Sequence, residues 1–139
     1  MEELLELKSY IEDGLYDAAL ALIGEMEEMS KDDKINKIFS YMETLLINLI
    51  KQYAENRSTR SWDASIRNSV YKINYINKRK KAGGYYCSED ELKQIIEDAL
   101  PIAFLRASFE AFEGRYDDKE LVDKVDVKQI KADALKLIN

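Results

Sequence analysis

The chain has 139 residues, 46% hydrophobic and 35% charged side chains, and a formal net charge of −6; this balance fits one folded globular domain and excludes wholesale disorder. It holds one cysteine and no histidine, which excludes an intramolecular disulfide, a Cys/His zinc site and every catalytic device built on histidine. One proline and five glycines leave few interruptions, so long helices are favoured over a many-turned β fold.

In chain order, the first predicted helix covers about residues 2–13, where Leu4, Leu7 and Ile11 recur at three and four with Glu and Lys around them. Gly14 is a left-handed stop. A second helix, about 17–29, carries Ala18, Leu22, Met26 and Met29 on one side. Ser30 reads as an N-cap, with Asp32 and Asp33 in the following turn. The third helix then runs to about Ala54 and is the central one, because Ile35, Ile38, Phe39, Met42, Leu45, Leu46, Leu49, Ile50 and Tyr53 give the strongest repeat in the chain.

Ser61 is read as the cap of a fourth helix from Trp62 to about Lys81, with Trp62, Ile66, Val70 or Ser69, Ile73 and Ile76 facing inward. Gly83-Gly84 makes a loop, and Ser88 with Glu91 has capping-box spacing ahead of a fifth helix bearing Leu92, Ile95, Ile96, Ala99, Ala103 and Ala107. Pro101 predicts a kink near Glu97–Asp98, and Gly114 closes the helix. Short helices at about 117–123 and 126–138 complete the tail. The expected fold is all-α, an up-and-down bundle of about five to six helices around a long central helix. It forms a single domain over 1–139, with a core at about 17–112 and a C-terminal appendage at about 117–138.

The acidic start MEELLELKSY lacks the apolar core of a secretory signal, and the longest apolar run, Leu45–Ile50, contains Asn48 and is far shorter than the ~20 residues that span a bilayer. A cytoplasmic protein without membrane contact is expected.

Four segments together carry a family resemblance. They are Leu22-Ile23-Gly24-Glu25-Met26-Glu27-Glu28-Met29, Leu45–Lys51, Arg60-Ser61-Trp62-Asp63-Ala64-Ser65-Ile66-Arg67 and Asp90–Ala103. The set resembles the domain-of-unknown-function family 29, small helical proteins found mainly in cyanobacteria. Its arginine–serine–tryptophan element is the most specific part, and Asn48 stands where that family commonly has histidine. The resemblance implies a helical fold and brings no activity.

Charge is unevenly placed. Residues 51–82 hold nine basic side chains against Glu55 and Asp63. Two candidate sites lie there. Arg57, Arg60, Ser61, Trp62 and Arg67 surround a helix N-terminus and form a candidate anion- or partner-binding group, with Trp62 as a wall. Lys72, Lys78, Arg79, Lys80 and Lys81, interleaved with Tyr71, Tyr75, Tyr85 and Tyr86, form a candidate basic patch. Weighed against these, Trp62 can be a core anchor and the cations can pair with acidic neighbours. Asn48 can line a pocket or sit at the edge of its stripe.

The sequence shows no nucleophile–base pair, cofactor fingerprint or metal motif, so no cofactor and no metal are expected. The leading expectation is a non-catalytic helical interaction module that binds a protein partner or self-associates. The alternatives are a nucleic-acid-associated regulator using the basic fourth helix and a carboxylate–metal hydrolase, for which Glu97 and Asp98 are the first pair to inspect.

Overall fold

The apolar repeat from Ile35 to Tyr53 folds as uninterrupted helix, and the helix reaches well beyond the repeat. The computed structural model describes residues 2–81 and 83–138. Among them are six α-helices and no strand: α1 (Glu2–Glu12), α2 (Tyr16–Glu55), α3 (Arg60–Asn77), α4 (Glu89–Ser108), α5 (Asp118–Val122) and α6 (Val127–Leu137). The fold is all-α about a long central helix, as the periodicity predicts. It clusters into two compact units that meet in sequence between Ile35 and Asn36, within α2.

The unit up to Ile35 is a helical hairpin. Gly14, at φ 73, closes α1 through bonds from Gly14 N–H to Ile11 C=O and from Leu15 N–H to Tyr10 C=O, the crossed pair that ends helices at a left-handed glycine. Ala19 is buried, while Leu7, Tyr10, Leu22, Ile23 and Met26 are half-buried. The sequence-based break at Ser30 is absent, since Ser30 is an interior residue of α2. No Gly or Pro lies between Glu25 and Glu55, and a cap worth about 1 kcal/mol does not offset a full turn of lost backbone bonds.

The unit from Asn36 onward holds the main core. Ile38, Met42, Leu45, Leu46, Leu49 and Ile50 of α2 are buried there. The same core takes Ile73 of α3, the Leu92–Ala107 face of α4, Leu121 of α5, and Ile130 and Ala134 of α6. The Ser88–Glu91 capping box forms as expected, and Asp117–Glu120 makes a second one ahead of α5. Asn48 is buried, and its amide donates to Thr44 C=O at 2.9 Å, so its polarity is met within its own helix.

Two helix ends differ from expectation. α3 stops at Asn77 rather than near Lys81, because Lys78 is extended and pairs with Tyr85 in an isolated antiparallel bridge. Arg79 N–H donates to Gly84 C=O, and Tyr86 N–H to Asn77 C=O; Gly83 and Gly84, both at positive φ, turn the chain back. The four-cation tract is therefore a loop arm and not a last helical turn. α4 runs through Pro101 and ends at Ser108, ahead of Gly114. Phe112, Glu113 and Gly114 then take φ of 53°, 57° and 77°, a left-handed turn in which each non-glycine residue costs about 1–2 kcal/mol.

Two predictions arise in this core. Ser69 is 0% exposed and its Oγ has no hydrogen-bond partner among the described residues, so Ser69→Ala is expected to hold or raise stability by about 1 kcal/mol. A urea midpoint lower than that of the parent chain would contradict this. Tyr53 donates from α2 to the Asp133 carboxylate on α6. That bond, aided by burial, pushes the phenol up to about 12 from its ordinary 10. Because the folded value is the higher one, this contribution is complete below pH ~10 and is lost as pH rises through about 12. Tyr53→Phe is expected to cost about 1 kcal/mol at neutral pH, the shift being discounted for solvent screening. Denaturant titrations at pH ~8 and ~12 should show the gap between parent and variant closing.

Candidate functional site

Trp62 lies in the first turn of α3 and is half-buried. Thr59 caps the helix in extended geometry, its Oγ1 accepting from Trp62 N–H at 3.1 Å. Ser61 is not the cap but an exposed residue of the first turn. The reason is register: helical geometry begins at Arg60, so the hydroxyl that reaches the N3 amide is the one three residues before Trp62.

Two cations flank the indole. Lys51 Nζ, on a buried α2 side chain, is 5.0 Å from the ring centroid, and the Arg57 guanidinium is 4.8 Å away, both inside cation–π range. Each has a carboxylate partner. Lys51 Nζ is 3.6 Å from Glu110 Oε1, and Arg57 Nη2 is 3.1 Å from Glu55 Oε1. The other Glu55 oxygen accepts Phe112 N–H at 3.2 Å, so one carboxylate holds both the arginine and the left-handed turn. Gln52, Ser58 and Asp63 close the rim, with Ser58 Oγ donating to Asp63 Oδ1 at 2.6 Å. The two ion pairs balance and Asp63 adds one carboxylate at the rim; the cluster suits fixing α3 on α2 and presenting a partly open tryptophan face. A related pair holds α4 on α2: Glu43 is buried with Oε1 2.8 Å from Arg106 Nη1, a contact of charge without an aligned hydrogen bond.

Of the first candidate group, then, the structure gathers Arg57 and Trp62. It adds Lys51, Glu55, Glu110 and Phe112, which local sequence patterns did not bring forward. The one signal for Lys51 is a cation set among Leu49, Ile50 and Tyr53. Arg60 and Arg67 are exposed and belong to the outer face of α3.

That outer face is the second assembly. Arg60, Ala64, Arg67, Tyr71, Tyr75 and, just past the helix, Lys78 recur at three and four and are all exposed. The Tyr71 and Tyr75 rings stack at 6.1 Å, and Lys80 Nζ sits 4.3 Å over Tyr75 and donates to its hydroxyl at 2.6 Å. That bond lowers the Tyr75 phenol from its ordinary range. Arg79 lies 5.7 Å over Tyr86. Lys72 is half-buried, while Lys78, Arg79, Lys80 and Lys81 are exposed. Next to the bridge, a cavity of about 670 Å³ is lined by Asn74, Lys78, Tyr85, Tyr86, Ser88 and Leu92 among others.

The carboxylates singled out for hydrolysis have local partners: Glu97 Oε1 is 2.7 Å from Lys131 Nζ, and Asp98 accepts from Gln94 at 2.8 Å. Among the described residues no group of three or more His, Cys, Asp or Glu side chains could hold a metal ion. Cys87 is buried. No helix among the described residues is long and apolar enough to cross a membrane.

Neither a curated protein nor a solved structure matches this chain. A family model described as domain of unknown function DUF29 matches residues 17–121, which takes in all four segments that carry the resemblance and both assemblies on α3. With three quarters of its length under that match, the chain belongs to the DUF29 family.

Proposed function

We propose that this protein is a non-catalytic helical interaction module that binds a protein partner or a second copy of itself. The observation that supports it most is a pair of exposed faces of opposite character. The hairpin unit carries eleven acidic against three basic residues and leaves Leu5, Leu20 and Met29 at 69%, 66% and 63% exposure. The outer face of α3 is basic and aromatic. Exposed apolar side chains rimmed by polar ones mark association surfaces where they form a contiguous patch, and faces of opposite charge steer one partner to the other. A reducing, cytoplasmic setting fits a chain whose one thiol is buried.

Purification of the tagged chain from its native cell, followed by mass spectrometry, tests this reading. Recovery of a defined protein, or of an untagged copy, that is lost with Leu20→Asp is the expected result. An identical recovery from parent and variant contradicts it.

The Tyr71–Tyr75 stack beside Lys80 favours one second reading, contact with single-stranded nucleic acid through stacking and phosphate pairing. Retention of single-stranded RNA at ~0.15 M salt, abolished when Lys78–Lys81 become alanine, would support that reading over the first.

A further inference from the structure

We propose that two copies of this chain associate reciprocally, the acidic hairpin of each lying along the basic, tyrosine-bearing face of α3 in the other. This deepens the recognition reading above and rests on it.

The α3 face has the geometry of a helix-docking seam. Arg60, Ala64, Arg67, Tyr71, Tyr75 and Lys78 follow the spacing that core-facing stripes use, yet all are in water. The hairpin supplies the complement. Leu4, Leu5, Ile11, Leu15, Tyr16 and Leu20 are exposed on a unit whose charge is strongly negative. One turn beyond Leu20 stands Gly24, inside α2 with an ordinary helical φ. A Cβ at Gly24 would meet nothing within 4 Å, so packing within the chain does not ask for glycine, and helix propensity disfavours it. The missing side chain leaves a notch between Leu20 and the exposed Glu27 and Glu28 where a flat tyrosine ring can lie against the backbone.

Charge selects the occupant. Hairpin on hairpin sets acid against acid, and α3 on α3 sets cation against cation. A polyanion would cover α3 but leave Leu20 and Tyr16 in water. A second copy offers a complement to both faces, so one kind of contact, made twice, satisfies both.

Sedimentation equilibrium of the full chain at ~0.02 M and ~0.5 M salt tests this, with dimer expected at low salt and monomer at high salt. Asp17→Lys with Glu28→Lys, and separately Arg60→Glu with Arg67→Glu, should each weaken dimerisation at least about tenfold. An equimolar mixture of the two double variants should restore it, because both contacts then join opposite charges; restoration also shows that each variant is folded. Gly24→Leu should weaken association while raising helicity. A parent chain that is monomeric at low salt, a mixture that stays monomeric, or a Gly24→Leu chain that dimerises like the parent overturns the proposal. A monomeric chain that still recovers a different protein through Leu20 leaves the broader recognition reading standing; a chain that does neither loses both.

Discussion

Leu46→Ala is expected to lower the unfolding free energy by about 3 kcal/mol, within the ~2–5 kcal/mol range of buried leucine truncations. Leu46 is 0% exposed, and it stands with Met42, Leu45 and Ile50 on the part of α2 that the rest of its unit buries. Removing three carbons there loses their transfer free energy and leaves a void that close-packed neighbours fill only in part. The urea midpoint should fall with an unchanged slope, and the thermal midpoint by about 10–15 °C. The same truncation at Leu20, on the same helix but exposed, should change stability by less than about 0.5 kcal/mol. Equal losses at the two positions would mean that α2 does not divide between a buried and an open part.

Asn77→Ala should cost about 2–3 kcal/mol, a loss that comes from unmade hydrogen bonds and not from volume. Asn77 is the last residue of α3 and is buried, as is Cys87. Its Oδ1 accepts Cys87 N–H at 2.8 Å and its Nδ2 donates to Cys87 C=O at 3.4 Å, so the side chain pairs both backbone groups of Cys87 as a neighbouring strand would. Tyr86 N–H donates to the Asn77 carbonyl at 2.9 Å, and together these bonds tie the end of α3 to the start of α4. Alanine removes both side-chain bonds to a buried segment. Labelling of the Cys87 thiol by a disulfide reagent should then quicken by about 30- to 160-fold, the factor equivalent to that loss if reaction proceeds through local opening. An unchanged labelling rate would show that these bonds do not hold the segment closed.

What the sequence discloses about this fold is local. The stripes of α2 and α4, the left-handed stop at Gly14 and the Ser88–Glu91 box rest on residues within four positions of one another, and they form as read. Ser30 misleads because a cap preference is weak and no breaker enforces it. Lys78–Lys81 reads as helix by continuity, although Gly83-Gly84 was the available signal for a chain reversal. The surroundings of Trp62 were out of reach for another reason: Glu55 meets Phe112 across 57 positions, and Lys51 meets Glu110 across a similar span. Such pairings follow from how helices pack, and no local period encodes them. Gly114 marks a left-handed turn in the sequence, but nothing local shows that Phe112 and Glu113 before it share that conformation. The outer face of α3 was legible as charge and as tyrosines, but its register, which sets Arg60 and Arg67 in line with Tyr71 and Tyr75, emerges only once the end of the helix is fixed.

Amide hydrogen exchange of the chain at low salt, dilute and concentrated, tests the proposed association through two exposed faces of opposite charge. Concentration should slow exchange in α1, in the first turns of α2 and along α3, and leave α4 to α6 unchanged. Identical exchange at both concentrations, or protection gained in α4 to α6 instead, would contradict the account.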